Sequence, residues 1–82
     1  MQTYWVHFVE NDYPVGCQLG CGVTALDSAD VRTVLAETLS TADYLDRIAS
    51  IESVAYEDIE ENHVRPNMGF HLRRGIWYPN GI

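Results

Sequence analysis

Hydrophobic and polar residues alternate at the start of the chain, which is the period of a β-strand. Residues 3–10 read TYWVHFVE and hold three aromatic side chains, a composition typical of strands. Turn-forming residues follow at positions 11–16, around a proline, and residues 17–24 can return as a second strand. The pattern therefore predicts an opening β-hairpin.

The register of this hairpin follows if Asn11 lies opposite Gly16, because strand pairing must bring one apolar face inward. The apolar face then pairs Tyr4 with Val23, Val6 with Cys21 and Phe8 with Leu19. The other face pairs Trp5 with Gly22, His7 with Gly20 and Val9 with Gln18. The two glycines leave a bare strip beside the tryptophan, which is either covered by the chain itself or open as a shelf.

A period of three and four residues replaces the alternation at residues 29–40 and predicts an α-helix. The apolar stripe of this helix consists of Val31, Val34, Leu35 and Leu39. Asp27 or Ser28 can cap its N-terminus, and Asp30 lies in its first turn, where the helix dipole favours an anion. One face of the helix is thus available to cover a sheet.

The second half of the chain has weaker patterns. Residues 41–50 fit either a helix or a loop, whereas the β-branched and aromatic content of residues 50–56 favours a strand. Residues 70–78 predict a last strand, in which Phe70 and Leu72 share a face.

These elements predict an α+β fold of ββαββ order that forms one domain over residues 1–82. A four-stranded, mainly antiparallel sheet with one helix packed on one face is the simplest arrangement that buries both apolar stripes. This arrangement is β-grasp-like, with the first strand in the centre of the sheet, which suits a strand that is apolar on both faces.

Charge is unevenly distributed along the 82 residues, which carry 12 acidic and 5 basic side chains and a formal net charge of −7. Residues 27–61 hold ten of the acids and two arginines, whereas residues 62–82 hold three arginines and no acid. The acidic segment disfavours nucleic acid and attracts a basic partner at long range, or it simply forms a solvated face. The basic end either packs against the acidic segment or belongs to a binding surface.

Several classes of protein are not expected. No apolar run approaches the about 20 residues that cross a bilayer, and the N-terminus lacks the positive region of a signal peptide. We therefore expect no membrane contact and a cytoplasmic location. Nothing matches a nucleophile elbow, a P-loop or a dinucleotide fingerprint, so we expect neither an enzyme nor a cofactor.

The two cysteines, Cys17 and Cys21, would lie on one extended strand. Their Cα atoms would then be about 13 Å apart, too far for a disulfide or for joint binding of one zinc ion. The histidines His7, His63 and His71 match no metal-ligand spacing. We expect buried or half-buried thiols and no metal site.

Three segments carry a resemblance: residues 20–25 (GCGVTA), residues 62–69 (NHVRPNMG) and residues 74–79 (RGIWYP). They resemble, in the same order, a group of small bacterial proteins that has no established activity, and the resemblance implies a bacterial origin. In size, acidity and expected architecture, the chain is also similar to bacterial immunity proteins that inhibit secreted toxins. This second likeness concerns the architecture and not a motif.

A binding module for a basic protein is the first functional hypothesis, most concretely an immunity-type inhibitor of a basic toxin such as a nuclease. It depends on the acidic segment, the small size and the absence of a catalytic motif. The candidate contact residues are Trp5, Asp43, Asp46, Glu52, Tyr56, Glu57, Asp58 and Glu60.

A small enzyme or ligand sensor is the alternative hypothesis. It would use the glycine strip as a shelf, together with an aromatic ring, two imidazoles and a guanidinium. The candidate residues of this shelf are Trp5, His7, His71 and Arg73.

Overall fold

The computed structural model describes residues 1–80. A sheet of four antiparallel strands packs against one main helix, so the expected α+β class and ββαββ order are confirmed. The strands are β1 (Gln2–Phe8), β2 (Cys21–Ala25), β3 (Ile48–Ser53) and β4 (Gly75–Tyr78), and the helices are α1 (Ser28–Ala36) and α2 (Leu39–Ala42). Their order in the sheet is β3-β1-β2-β4, which places the first strand inside the sheet, as expected.

The pairing of β1 with β2 has the register predicted from the sequence. Tyr4 lies opposite Val23, Trp5 opposite Gly22 and Val6 opposite Cys21. The face that carries the Tyr4–Val23 and Val6–Cys21 pairs is buried beneath α1. Three residues of this helix complete the inner core: Val31, Val34 and Leu35. The alternation of the first strand therefore decides which side of the sheet the helix covers.

The predicted continuation of this pairing to Leu19 is wrong. Residues 14–20 form successive turns, closed by hydrogen bonds of 2.9 Å from the N–H groups of Cys17 and Gly20. Gly20 has a φ of 127°, which favours glycine, and it redirects the chain just before β2 begins. Leu19 consequently lies 45% exposed on the outer face of the sheet, whereas Phe8 packs against the inner core.

The same turns bring the two cysteines together. The thiols of Cys17 and Cys21 lie close enough for each to shift the pKa of the other, although an extended strand would hold their Cα atoms about 13 Å apart. Both are buried, and they form no disulfide. The neighbouring Cys21 thiol lowers the pKa of Cys17, whereas the Cys17 thiol, together with burial, raises the pKa of Cys21 well above its usual value.

The helix α1 ends earlier than the predicted range of 29–40. It stops at Ala36 because Thr38 adopts an extended backbone conformation. Leu39, which was expected in the apolar stripe, is therefore 94% exposed. Thr41 is buried in its place, and its hydroxyl donates a hydrogen bond to the carbonyl of Leu35.

The second half of the chain departs further from the prediction. The ambiguous residues 41–50 contain the end of α2, a 3₁₀ turn (Leu45–Arg47) and the start of β3. The last strand is limited to β4, and Phe70 and Leu72 lie in the turn before it, 62% and 68% exposed. The reason is that β2 ends where the chain enters α1, which leaves residues 70–74 no strand to pair with.

A second cluster of apolar side chains, here termed the outer cluster, covers the opposite face of the sheet. Its members are Trp5, Val54, Ile59, Val64, Met68, Trp77 and Tyr78. Trp5 lies over Gly20, in the turn before β2, and Trp77 lies over Gly22, in β2. Each ring occupies the space that a side chain at that glycine position would need. The chain itself thus covers the glycine strip, and no open shelf remains there.

An ion-pair network ties α1 to the turn before β4. Asp27 caps the helix, as expected, by accepting a hydrogen bond of 2.8 Å from the N–H of Asp30. Asp30 accepts two hydrogen bonds of 2.9 Å from the guanidinium of Arg74, which also lies 3.4 Å from Glu37. The bond to Arg74, followed by one from the Leu26 N–H, lowers the pKa of Asp30 to about 2.

We predict that Gly22→Ala destabilises the fold by about 1–3 kcal/mol, because the new Cβ would overlap the six-membered ring of Trp77. The cost should fall in a Trp77→Phe background, which removes the overlapping atoms. Urea unfolding followed by circular dichroism gives the free energies. Gly75→Ala is the control: nothing lies near its Cβ, but its φ of 144° is strained for alanine, so its cost should not depend on residue 77. An equal cost of Gly22→Ala in both backgrounds would contradict the packing of ring on glycine.

We predict that Asp30→Asn removes part of the acid sensitivity of the protein. The pKa of Asp30 is lowered in the folded state from 3.8 to about 2, so its contribution is complete above 3.8 and is lost as the pH falls through about 2. The wild-type free energy of unfolding should therefore fall more steeply over this range than that of the variant. Asp43→Asn serves as the control, because that carboxylate makes no ion pair among residues 1–80. Parallel pH profiles for the wild type and Asp30→Asn would refute the prediction.

Candidate functional site

A cavity of about 360 Å³ lies on the outer face of the sheet, where the chain after β3 folds back over β1. We term it the acidic pocket. It is lined by Trp5, Leu19, Glu52, Val54, Asp58, Ile59, Glu60, His63 and Val64. Its size is within the range of protein pockets that bind small ligands, about 300–1,000 Å³.

Trp5 lines the pocket and is held in place from several sides. Its indole N–H donates a hydrogen bond of 3.2 Å to the carbonyl of Leu19. Its ring packs on Trp77 and Tyr78, with centroid distances of 5.9 and 5.5 Å. Because Gly20 has no side chain, the indole can lie against the backbone at that point. The aromatic surface of the pocket is therefore preorganised by the fold.

Glu60 shapes the wall of the pocket. Its carboxylate accepts hydrogen bonds of 2.8, 2.6 and 3.1 Å from the N–H groups of Asn62, His63 and Val64. Partial desolvation opposes ionisation, but these backbone bonds outweigh it and lower the pKa of Glu60. The carboxylate thus fixes the turn that places Val64 against the pocket, and it also contributes negative charge.

The arginines of the chain lie away from the acidic pocket. Arg74 bonds to Asp30 and Glu37, as described above. Arg47 pairs with Asp12 and with Asp46. These pairs neutralise the carboxylates on the helix side and at the far end of the sheet.

The remaining arginines do not reach the pocket either. Arg32 donates to the carbonyl of Leu45, at 2.9 Å, and Arg73 lies over the Phe70 ring. Arg65 lies over the Tyr56 ring and is 3.8 Å from Glu61.

Two carboxylates of the pocket are therefore left without compensation. Among residues 1–80, neither Glu52 nor Asp58 has a cationic partner within ion-pair distance, and the same is true of the neighbouring Glu57. The pocket combines an apolar floor with an unpaired negative rim, a combination that favours a cation with an apolar stem.

Most of the predicted partner-binding residues come together at this pocket. Trp5, Glu52, Asp58 and Glu60 line it, and Tyr56 and Glu57 belong to the adjoining 3₁₀ turn (Tyr56–Asp58). The ring of Tyr56 already packs against two other side chains. It stacks on the His71 ring with a centroid distance of 4.8 Å, and the guanidinium carbon of Arg65 lies 4.8 Å from its centroid.

Asp43 and Asp46 lie elsewhere, at the Arg47 guanidinium. It donates to the backbone carbonyl of Asp43 at 2.9 Å and pairs with the Asp46 carboxylate at 3.1 Å.

The pocket also contains residues that were not among the predicted site residues: Leu19, Val54, Ile59, His63 and Val64. Ile59 and Val64 stand as isolated apolar residues within a charged run, from Glu57 to Arg65. Both are buried in the outer cluster. An isolated apolar residue in an otherwise charged segment is the sequence signal that could have indicated a segment folded over the sheet.

The residues of the alternative shelf are not brought together. Trp5 meets His7 edge-on, with a centroid distance of 6.3 Å. His71 lies near the other end of β1, where its carbonyl accepts a hydrogen bond from the Thr24 hydroxyl and Thr24 pairs with Thr3. Thr3 and His7 are four positions apart on an extended strand, so their Cα atoms are about 13 Å from each other.

Comparisons with known proteins add no assignment. No family model, curated protein or solved structure matches this chain. Within residues 1–80, no group of three or more His, Cys, Asp and Glu side chains is arranged to hold a metal ion. No helix in the same part of the chain is long and apolar enough to span a bilayer.

We predict that Glu60→Gln weakens the pocket wall without unfolding the protein. The folded-state pKa of Glu60 is lowered, so its contribution is present at neutral pH and is lost as the pH falls through that lowered value. Amide hydrogen exchange by NMR should show lower protection at Asn62, His63 and Val64 in the variant at pH 7, and a weaker dependence of that protection on pH. Glu61→Gln is the control, because this neighbouring carboxylate accepts none of these bonds. Unchanged protection in Glu60→Gln would show that the turn forms without the carboxylate.

Proposed function

We propose that this chain is a small acidic protein-binding module, most concretely an immunity-type inhibitor of a basic toxin. One observation carries the proposal: two carboxylates that make no ion pair within residues 1–80, those of Glu52 and Asp58, line a preformed apolar pocket beside Trp5. Acidic side chains that served only to keep the chain dispersed in water would not need to line a cavity.

Both parts of the site have a role in such an encounter. Glu52, Glu57 and Asp58, within a chain of net charge −7, attract a basic surface and raise the association rate. Trp5 and the apolar floor then provide the desolvated contact that slows dissociation, since aromatic anchors in pockets carry much of the binding energy at protein interfaces. The size and acidity of the chain and its sheet-plus-helix architecture fit the immunity class, by analogy.

The first experiment uses the gene adjacent to the one that encodes this chain. We predict that expression of its product arrests growth of a heterologous host and that co-expression of this chain restores growth. The purified pair should associate at least about tenfold faster at low than at high salt, because opposite charges steer the encounter. A harmless neighbouring product, or an association rate that salt does not change, would refute the proposal.

The second arm of this experiment compares two double variants of equal charge change. Glu52→Gln with Asp58→Asn removes the unpaired rim, whereas Asp43→Asn with Asp46→Asn removes the same charge near Arg47. We expect the pocket variant to weaken binding about tenfold or more and the control variant much less. Equal effects of the two variants would show that only the net charge matters, and would contradict a role for the pocket.

A further inference from the structure

We infer that the acidic pocket is a receptor for one arginine side chain, presented by the basic partner. This inference rests on the proposed function and deepens it, because it names the group that enters the pocket. Three features of the structure carry it: the shape and lining of the cavity, the hydrogen-bonding state of its carboxylates, and the register of Trp5 against Glu52.

The lining of the pocket fits a long side chain with an apolar stem and a cationic end. Val54, Ile59 and Val64 supply apolar surface. The carboxylates in the lining are those of Glu52, Asp58 and Glu60. An anion would meet uncompensated negative charge there, and a neutral apolar group would desolvate the carboxylates without giving them a partner.

The carboxylates differ in what they can still accept. Glu60 already accepts three backbone hydrogen bonds, so it contributes charge and holds the wall. The side chains of Glu52 and Asp58 accept no hydrogen bond from residues 1–80 and make no ion pair with them. These two are therefore the acceptors that an incoming donor group would satisfy.

The sheet places a carboxylate beside an aromatic ring. Trp5 on β1 lies directly opposite Glu52 on β3, so their side chains project from the same outer face as cross-strand neighbours. Directly opposed residues have Cβ atoms about 4.5–5.5 Å apart. A flat cation can lie against the indole and still donate hydrogen bonds to the carboxylate next to it.

Arginine fits this pair of groups better than lysine. Its guanidinium is planar, stacks on aromatic rings and donates two parallel hydrogen bonds to a carboxylate, and it is more weakly hydrated than an ammonium group. The chain contains an example of one part of this recognition, a guanidinium lying over an aromatic ring. Arg65 lies 4.8 Å from the centroid of the Tyr56 ring and donates a hydrogen bond of 3.1 Å to the carbonyl of that residue.

The test is an NMR titration of the full chain with Nα-acetyl-arginine N-methylamide. We predict a saturable shift of the Trp5 indole N–H with a dissociation constant on the order of millimolar, as expected for one side chain. The Trp77 indole, which is buried away from the pocket, should shift much less. The lysine analogue should bind at least about fivefold more weakly, and the neutral citrulline analogue should cause no saturable shift.

Charge variants assign the binding to the pocket. Glu52→Gln and Asp58→Asn should each weaken binding of the arginine analogue about fivefold or more, whereas Asp43→Asn and Asp46→Asn should leave it unchanged. All four positions are exposed, and dispersed amide spectra would show that the variants are folded. Lysine binding as tight as arginine, binding of the citrulline analogue, or equal losses in all four variants would overturn the inference.

The outcomes separate this inference from the proposed function. If the arginine analogue does not bind but the chain still suppresses a toxin in a salt-dependent manner, the arginine inference fails and the proposed function stands. If the analogue binds as predicted but the neighbouring gene product is harmless, the proposed function fails and the pocket remains an arginine receptor for another partner.

Discussion

The packing of two tryptophan rings on two glycines is the contact on which the rest of this structure depends. A sheet of four short strands with a single helix would normally leave one face wet. Here Trp5 over Gly20 and Trp77 over Gly22 bring large apolar surfaces down onto the backbone of that face. Ile59 and Val64 can then pack against the rings, so that a segment without strand or α-helix covers the sheet. The acidic pocket exists because this segment does not cover the face completely.

Charge is partitioned by the fold in a way that composition does not reveal. Arg74 and Arg47 bond to carboxylates on the helix side and at the far end of the sheet. The pairs of Arg74 with Asp30 and of Arg47 with Asp12 join segments that are distant in sequence, so these charges support the architecture. Glu52 and Asp58, which make no ion pair within residues 1–80, lie at the pocket, where negative charge carries an electrostatic cost unless a cation is bound. A strongly acidic chain can therefore pair its carboxylates with arginines in one region and keep uncompensated negative charge in another.

The sequence contained enough information for the hairpin and for the sheet-plus-helix class, because strand alternation and strand register are local signals. Trp5 opposite Gly22 and Val6 opposite Cys21 follow from the period of two and one turn. The errors arose where a single backbone angle redirects the chain. Gly20, at a φ of 127°, turns Leu19 to the outer face and brings Cys17 to Cys21.

The candidate site was only partly predictable, for a related reason. Acidic residues and Trp5 are visible as candidates from composition, but whether a carboxylate is paired depends on contacts across the chain. Asp46 and Glu52 look alike in sequence, yet the structure pairs only the former among residues 1–80. The apolar part of the pocket needs Ile59 and Val64, whose burial depends on the long-range packing against Trp77. No local pattern encodes that contact.

The floor and the rim of the pocket are under different physical constraints. Trp5 belongs to the outer cluster and lines the pocket, so a substitution there changes folding and binding together. The carboxylates of Glu52 and Asp58 are exposed and make no ion pair with residues 1–80, so their charges can change at little cost to stability. Under the proposed function, affinity would then come from groups that the fold must keep anyway, and specificity from groups that it can replace. A binding module built in this way can acquire a new partner by exchanging its rim, while the tryptophan–glycine packing beneath it stays intact.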